Sequence, residues 1–487
     1  MTRSTGVRST VSYQFWLAGW LAAWLLTSPA SGEDWPQFRG LNAAGVSTSK
    51  NLPVKFSTTE NVLWSVELGP GIACPIVASG RVFATTMSDD QKFAVVCFDA
   101  ATGKKSWRKE FDTGPLPAIM SPNTQASSTP AADDRRVYVY FSTLGLIALD
   151  AANGELVWKH PIPMPTYLLG WGPAHSPVIY ANMILFNQDD DLAPFLLAVD
   201  KYTGKQIWKT ERPEMLAGYA VPVVCRAGDQ EDIVIAGSGK LKGYNPENGK
   251  QRWTCNTLLR TIMTTPAVKG DLIYVSLQSY GDTERVLKYA LLQWKDTNQD
   301  GRLAKSELDK SFWEKFDRGD ADKDGFLIDD EIDLAFQSPT NMVGGGNIVQ
   351  AIRGGGQGDV TKTHVVWHID NKAPSNISSP LVSDGRVFMV KKGGISASFA
   401  ASTGTTVWEK KRLRNFGNYY ASPIAGDGKI YVMGENGFLV VLKDAPQLEI
   451  LAKNDMGESC IATPAIADGR LFVRTLTKLY CISKEAQ

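Results

Sequence analysis

The chain has 487 residues, enough for one large repeat architecture with a sizeable hydrophobic core. Lysine and arginine together number 51, and so do aspartate and glutamate, which leaves no formal net charge. This balance disfavours a nucleic-acid partner, because such proteins need a basic surplus or stripe. A hydrophobic content of 43% with 14 tryptophans is typical of a packed globular protein.

Residues 1–32 are predicted to be a signal peptide. Arg3 and Arg8 give it a basic start, and the apolar stretch 15–26 is short for a bilayer-spanning helix. Small residues at 30–32 offer a cleavage site, so the mature chain is expected to begin near Glu33. An uncleaved membrane anchor is the alternative. We expect a periplasmic or secreted protein with no transmembrane segment after signal cleavage.

Residues 33–72 are predicted to form an N-terminal segment that ends in a strand. Its first part, DWPQFRG at 34–40, contains a proline and a glycine, which favour an irregular conformation with aromatic side chains docked on the main body. Its last part, NVLWSVEL at 61–68, looks like the tryptophan strand of a repeat that fills most of the chain.

The repeat is a phrase of Asp, three residues, Gly, three residues and Trp. Its central copy is Asp200, Gly204 and Trp208, with an apolar strand before it and a second strand carrying the tryptophan. The aspartate is expected to cap the turn through a side-chain oxygen, and the glycine to adopt the required backbone angles. Related copies begin at Asp99, Asp150, Asn245 and Ala400.

A second periodic signal is a proline that opens a strand, followed by a hairpin and a further strand. Most of these prolines are about 41 to 55 residues apart, which is close to the length of a propeller blade. Three of the hairpins contain Asp-Gly, a pair that suits tight turns. The eight prolines are Pro75, Pro130, Pro177, Pro222, Pro266, Pro380, Pro423 and Pro464.

These signals predict an all-β fold, an eight-bladed β-propeller of four-stranded blades. The eighth unit lacks a tryptophan strand, and the strand around Trp64 lacks a blade. We therefore expect the N-terminal strand to complete the last blade and close the ring, which leaves no large unpaired sheet edge.

One interval, from Pro266 to Pro380, exceeds a blade by about 70 residues. Residues 285–342 are predicted to be a small α-helical insertion in blade five, and 285–295 shows helical periodicity. Residues 73–284 then hold blades one to the first part of five, and 343–487 the rest of five to eight. Stretches 347–353 and 364–369 match the two missing strands of blade five. The glycine triplets beside the first stretch are interpreted as turns.

The insertion contains two matches to the twelve-residue calcium loop of EF-hands. Glycine at the sixth place allows the sharp turn, and the seventh residue offers its backbone carbonyl. Two ordinary polar turns are the alternative. The predicted metal ligands are Asp296, Asn298, Asp300, Arg302 and Glu307 in loop one, and Asp320, Asp322, Asp324, Phe326 and Glu331 in loop two. Loop two is expected to bind Ca²⁺ more tightly, because loop one has an asparagine in place of one carboxylate.

Other residues favour no catalytic site and no further metal site. His364 and His368 are predicted to face the same way on one strand, too far apart to share a zinc ion. The six cysteines allow 15 disulfide pairings, with buried free thiols as the alternative.

The repeated phrase is similar to the tryptophan-docking motif of PQQ-type eight-bladed propellers, a fold shared by quinoprotein dehydrogenases and the outer-membrane assembly lipoprotein BamB. The resemblance covers nearly the whole mature chain except the insertion. The DWPQFRG start resembles that of exported PQQ-like bacterial propellers with no assigned enzyme activity. Two departures matter. The adjacent cysteine pair and acidic calcium cluster of quinoprotein alcohol dehydrogenases are not matched, and neither is the lipid-attachment cysteine of BamB.

The sequence thus predicts an exported, non-enzymatic binding or assembly scaffold whose partner is a protein or an envelope polymer, with Ca²⁺ ordering the insertion. A PQQ-dependent quinoprotein dehydrogenase is the alternative, with PQQ possible as a cofactor but disfavoured by the unmatched cluster. A sugar-binding or hydrolytic propeller would need paired acids in the central funnel.

Overall fold

A computed structural model describes residues 1, 2, 6 and 32–484, except 89, 118, 168–169, 192, 214, 216–217, 258–262, 280–291, 293–294, 309, 337–345, 371–376 and 414–416. Residues 1–31 and 32–487 are separate units, and only the second is considered below. The predicted signal peptide lies almost wholly outside the described residues. None of the described helices combines the length and the hydropathy needed to cross a membrane.

Eight sheets follow one another along the described chain, each built on four antiparallel strands. Blade one contains β2 (Ile76–Ala78), β3 (Arg81–Met87), β4 (Phe93–Asp99) and β5 (Lys105–Phe111), and blade two contains β6 (Ala131–Ala132), β7 (Arg136–Phe141), β8 (Gly145–Asp150) and β9 (Leu156–His160). Blade three contains β10 (Val178–Tyr180), β11 (Met183–Gln188), β12 (Phe195–Asp200) and β13 (Gln206–Glu211), and blade four contains β14 (Val223–Ala227), β15 (Gln230–Gly237), β16 (Lys240–Tyr244) and β17 (Gln251–Asn256). The architecture is the all-β, eight-bladed propeller that the repeat predicts.

The later blades follow the same plan. Blade five contains β18 (Ala267–Lys269), β19 (Leu272–Ser279), β22 (Gly346–Arg353) and β24 (Val365–Asp370), and blade six contains β25 (Leu381–Ser383), β26 (Arg386–Lys391), β27 (Ile395–Ala400) and β28 (Thr406–Arg412). Blade seven contains β29 (Ile424–Gly426), β30 (Lys429–Met433), β31 (Phe438–Lys443) and β32 (Ile450–Asp455), and blade eight contains β33 (Ala465–Ala467), β34 (Arg470–Arg474), β35 (Lys478–Ser483) and β1 (Val62–Glu67). In blade eight, β1 pairs antiparallel with β35, so strands from both ends of the chain share one sheet.

The repeated phrase forms a capped turn between the third and fourth strands of a blade. Asp200 Oδ1 accepts hydrogen bonds from the amides of Tyr202 and Thr203 at 3.1 and 2.8 Å, and Gly204 has a φ of +70°. A short polar side chain can therefore hold the turn, while glycine adopts the left-handed conformation at little cost.

At five of the junctions between the described blades, a tryptophan on the outermost strand of one blade packs on a glycine of the next. Trp158 of blade two donates from Nε1 to the carbonyl of Lys201 in blade three at 3.0 Å. A Cβ placed on Gly204 would lie 2.6 Å from the same indole ring, so only glycine leaves room for the contact. The same packing joins Trp64 to Gly103, Trp107 to Gly154, Trp208 to Gly249 and Trp367 to Gly404.

A ring of hydrogen bonds surrounds the central channel where each innermost strand begins. Each link involves the residue directly before a strand-opening proline. Its side chain accepts a hydrogen bond from the backbone amide of the equivalent residue in the preceding blade. Seven of the eight links are present, and Val221 breaks the eighth because valine has no side-chain acceptor. The donor and acceptor pairs, in chain order, are Cys74 to Thr129, Thr129 to Ser176, Val221 to Thr265, Thr265 to Ser379, Ser379 to Ser422, Ser422 to Thr463 and Thr463 to Cys74.

Residues 34–47, here called the crossing segment, lie across one end of this channel. Hydrogen bonds join this segment to the innermost strands of six blades, which a segment at the rim could not reach. Trp35, which is 2% exposed, pairs with Val77, as expected of a docked aromatic. The contacts reach Val77, Ala132, Ile179, Val224, Pro380 and Ala425.

Residues 280–345 separate two paired strands of blade five, β19 and β22. Their described part contains the two-stranded pair β20 (Leu303–Ala304) and β21 (Phe326–Leu327) and the helices α1 (Trp313–Gly319) and α2 (Asp329–Phe336). These elements have their own small core, which includes Phe312, Phe316 and Ile332. The helix predicted at 285–295 lies almost wholly outside the described residues.

The remaining elements are short. The strand β23 (Gly358–Asp359) pairs parallel with β17 and widens blade four, and α3 (Thr361–His364) follows it. Short 3₁₀ turns occur at Leu41–Ala43, Lys305–Glu307, Lys310–Phe312 and Lys392–Gly394. The expectation that His364 and His368 share a strand is wrong, because His364 ends α3. The amide of Thr361 bonds to Asp359 at 2.9 Å, which starts a helical turn before the strand.

Candidate functional site

The second predicted calcium loop brings three carboxylates together. Asp320, Asp322 and Asp324 each have an oxygen within 4.8 Å of the others. The Oδ1 atom of Asp320 is buried and has no hydrogen-bond partner. A buried anionic oxygen without a donor is costly unless a cation compensates it, so this loop has the chemistry of a Ca²⁺ site.

Both predicted loops are held by the same hydrogen bonds. The amide of the sixth residue donates to the first aspartate, at 2.7 Å from Gly301 to Asp296 and 3.2 Å from Gly325 to Asp320. Glu307 and Glu331, at place twelve, accept amide hydrogen bonds from both sides of their own loops. The predicted side-chain ligands of each loop therefore surround one turn, and Leu303 pairs with Leu327 between the loops.

An arginine side chain lies beside the predicted ligands of loop one. The Nε atom of Arg302 donates to Oδ2 of Asp300 at 3.1 Å, and the side-chain Nδ2 of Asn298 donates to the same oxygen at 3.2 Å. Burial acts to raise the pKa of Asp300, but hydrogen bonds from Arg302 and Asn298 outweigh it and leave the pKa lowered. The Arg302 guanidinium also stacks 3.8 Å from the ring centre of Phe326. Arg302 therefore offers loop one a positive charge where Ca²⁺ would bind.

The central channel contains a cavity of about 410 Å³, within the size range of small-molecule sites. Its walls are mainly apolar and aromatic and include Trp171, Tyr219 and Tyr420. Thr129 and Ser422, from the ring of hydrogen bonds around the channel (the hydroxyl ring), also line it. Among the described residues that line it, none carries a formal charge.

This lining does not fit a PQQ and Ca²⁺ pair. PQQ is a polycarboxylated quinone, and the calcium ion beneath it in the enzymes that the repeat resembles needs carboxylate ligands. The described lining residues include hydroxyl groups and one side-chain amide, that of Asn123, but no carboxylate. The cavity as described suits noncovalent binding and offers no acid–base pair.

A buried polar group behind the cavity wall has no obvious signal in the sequence. His175 is 1% exposed, hydrogen-bonds through Nε2 to the Tyr167 hydroxyl, and stacks on Tyr219 with 5.5 Å between ring centres. Burial lowers the pKa of His175 to about 3, so the imidazole is neutral at physiological pH. Tyr219 separates it from the cavity, which argues against a role as a general base.

Three consecutive aspartates directly after β11 were likewise not identified from the sequence. Asp189, Asp190 and Asp191 are 0%, 3% and 3% exposed. Asp189 forms a bidentate ion pair with Arg212 at 2.7 and 2.8 Å, and its carbonyl accepts from the Gly218 amide. Asp189 thereby fixes Arg212 and Gly218, and Gly218 directly precedes Tyr219. The run of acids directly after a buried strand was the available signal.

Each of the six cysteines is buried as a free thiol, so none of the 15 possible pairings is formed. The repeat's aspartates act as turn caps, as predicted.

A family model described as "Outer membrane protein assembly factor BamB" matches residues 42–168, 171–312 and 309–445. The chain belongs to this BamB family. The match includes every blade from one to six and most of seven, so the family assignment rests on the propeller rather than on one short motif.

Curated relatives of this BamB-family chain fall into two groups. The quinoprotein alcohol dehydrogenase PedH of Pseudomonas putida is 26% identical over 162 residues, which is 30% of this chain and 24% of PedH. The assembly factor BamB of Yersinia pestis is 25% identical over 263 residues, 50% of this chain and 61% of that protein. The chain thus matches less than two thirds of the length of either relative, and their functions are not transferred by these matches.

Two solved structures share the fold. BamB from Moraxella catarrhalis has a TM-score of 0.51 and 15% identity, covering 88% of this chain and 98% of that one. A europium-containing methanol dehydrogenase has a TM-score of 0.56 and 9% identity, covering 92% and 98%. At these identities the likeness shows the propeller fold alone.

Proposed function

We propose that this protein is an exported, non-enzymatic propeller that acts as a binding or assembly scaffold in the periplasm or outside the cell, with a Ca²⁺-binding EF-hand pair inserted in blade five. The observation that carries the Ca²⁺ assignment is the cluster of Asp320, Asp322 and Asp324 with a buried, unpartnered carboxylate oxygen. The partner is a protein or an envelope polymer. Membership of the BamB family supports the scaffold role.

Calcium would act on the insertion by neutralising its clustered carboxylates, which repel one another without the ion. Arg302 and Phe326 would supply backbone carbonyls, and Glu307 and Glu331 would complete the two ligand sets. The insertion contacts the propeller through Lys315, which donates to the carbonyl of Pro213. An ordered insertion would therefore present a fixed surface beside blade three.

Calorimetric titration of the metal-free protein tests the calcium assignment. Two binding events are expected, with the tighter one lost in Asp320→Ala and the weaker one in Asp296→Ala. The same titration with Mg²⁺ checks selectivity. Absence of Ca²⁺ binding, or tighter residual binding after Asp320→Ala than after Asp296→Ala, would contradict the assignment.

We also propose that β1 closes the ring. The pairing of Trp64 with Cys481 and the bond from the Thr463 amide to Cys74 Sγ at 3.2 Å support closure at the outer and inner edges of the sheet. Removing residues 33–72 would expose the edge of β35, and light scattering should then show association or aggregation. A truncated chain that stays monomeric and equally stable would argue against closure.

A PQQ-dependent dehydrogenase is the second candidate, favoured by the match to PedH. Incubating the purified protein with PQQ and Ca²⁺, then measuring bound quinone and dye-linked alcohol oxidation, separates the two. The scaffold proposal expects no turnover, because no carboxylate lines the described cavity. Sustained oxidation of an alcohol would overturn it, whatever the result of the calcium titration.

A further inference from the structure

Two arginines are buried beside the central channel. Arg39, in the crossing segment, is 0% exposed, and Arg474, at the end of β34, is 1% exposed. Arg39 donates from Nη2 to the carbonyl of Pro380 at 2.7 Å. Arg474 donates from Nη1 to the carbonyls of Ala73 and Thr85 at 3.0 and 2.7 Å. Carbonyl dipoles thus hold both groups in place.

Much of their hydrogen-bonding capacity is unused. The Nε and Nη1 atoms of Arg39 have no acceptor, and neither do the Nε and Nη2 atoms of Arg474. Within the described chain, neither guanidinium forms an ion pair. Arg212 provides a contrast, since it is as deeply buried but forms a bidentate ion pair with Asp189 at 2.7 and 2.8 Å.

Cys74 is the ionisable group shared by the two arginines, and it supplies no compensating charge. Burial lowers the pKa of Arg39 to about 9 and that of Arg474 to about 10, with an electrostatic effect from Cys74 opposing the shift in each. Burial also raises the pKa of Cys74, so its thiol is neutral at pH 7. Both arginines are therefore protonated at pH 7 in surroundings that lack an anionic partner.

A buried charge is tolerated when it is paired and hydrogen-bonded. We propose that the protein binds a small inorganic anion next to Cys74, with the free N–H groups of Arg39 and Arg474 as its donors. Guanidinium groups are well suited to this role because they stay protonated and present several donors in a fixed plane.

The site is reachable from the channel. Cys74 lines the central cavity, and so does Phe38, the neighbour of Arg39. Because both side chains are fully buried, the proposed ligand is a small ion such as chloride or sulfate rather than a bulky organic anion. The site is separate from the calcium loops, so the two assignments can fail independently.

The proposed site also explains why the crossing segment lies at the channel. That segment contributes Arg39 from one end of the chain, and blade eight contributes Arg474 from the other. An anion between them would join the chain termini at the centre of the ring, in addition to the sheet that they share at its outer edge.

Thermal unfolding in chloride, sulfate or gluconate at matched ionic strength tests the proposal. Chloride or sulfate is expected to raise the Tm by about 2 °C or more relative to gluconate, because a ligand that binds only the folded state stabilises it. The difference should disappear in Arg39→Met and in Arg474→Met. It should persist in Arg135→Met, a control at an exposed arginine.

The variants are expected to fold, because methionine is a long, flexible apolar side chain that can fill much of the same space and removes a charge that is costly to bury. If either fails to fold, bromide soaking of wild-type crystals decides the question. An anomalous peak within hydrogen-bond distance of both guanidinium groups supports the site. No anion-specific rise in Tm, a rise that survives in either buried-arginine variant, or the absence of a bromide peak there would overturn it.

Discussion

The third position of each calcium loop offers a reciprocal exchange. Loop two has Asp322 there, and loop one has Asn298. Asp322→Asn makes the loop-two ligand set resemble that of loop one, and Asn298→Asp does the opposite. The two substitutions are nearly isosteric, and Oδ1 of residue 298 or 322 can still accept its backbone hydrogen bond from residue 300 or 324. Asn298→Asp also removes the hydrogen bond from Asn298 Nδ2 to Asp300.

The expected magnitude follows from the geometry of the cluster. Its oxygens lie within 4.8 Å of one another, so an ion held between them contacts each carboxylate directly. A divalent ion about 4 Å from the centre of a carboxylate charge gains about 2 kcal/mol in surroundings close to water. That corresponds to about a thirtyfold change in affinity, reduced by salt because the loop is exposed.

Calorimetry at low ionic strength should therefore show the tight site weakened about thirtyfold in Asp322→Asn. The weak site should gain less in Asn298→Asp, because Arg302 continues to compete for Asp300. Adding Arg302→Ala to Asn298→Asp should restore the full gain. Equal affinities in the wild type, or a weak site that tightens as much without Arg302→Ala, would refute the electrostatic reasoning.

Three further predictions concern the propeller. Gly204→Ala should lower the free energy of unfolding by about 3 kcal/mol in urea denaturation, and Gly228→Ala by only about 1 kcal/mol, because both have positive φ but only the first meets an indole. Thr265→Val should cost about 1–3 kcal/mol by the same assay, since it leaves the amide of the neighbouring blade without its acceptor at 3.1 Å, and Thr265→Ser should retain stability. His175 has a folded pKa of about 3, below its value of 6.5 when unfolded. Stability should therefore fall by up to about 1.4 kcal/mol per pH unit as the pH drops from 6.5 towards 3, and His175→Phe should flatten this slope; an unchanged slope would contradict the buried neutral state.

The blades were predictable because their determinants are local. A capping aspartate, a glycine with positive φ and a proline at the start of a strand act within a few residues, and each recurs in many blades. The tryptophan contacts extend only to the adjacent blade. Trp253 shows the limit of the pattern, because it has the right spacing but donates at 2.8 Å to Asp232 within its own blade.

The channel was not predictable in the same way. Arg39 and Arg474 are 435 positions apart in the sequence, and the fold alone brings both beside Cys74. His175 stacks on Tyr219, and a contact of this kind produces no periodic pattern in the sequence. The hydroxyl ring had a readable signal, since serine, threonine or cysteine precedes seven of the eight prolines. That signal becomes meaningful only once these positions are known to meet around one axis.

The position of the insertion explains how blade five remains regular. Ser279 and Gly346 are paired across β19 and β22, so the segment leaves and re-enters the sheet at adjacent positions. Lengthening such a connection adds only a small closure entropy, which grows slowly with loop length. The added segment also has its own core around Phe316, so its folding need not disturb the sheet. Its contact from Lys315 to Pro213 places it beside Arg212, the ion-pair partner of Asp189. Asp189 also bonds to Gly218, the neighbour of Tyr219 at the cavity wall. If Ca²⁺ orders the insertion, the same ion stabilises one wall of the central cavity, and by reciprocity occupancy of that cavity should tighten Ca²⁺ binding.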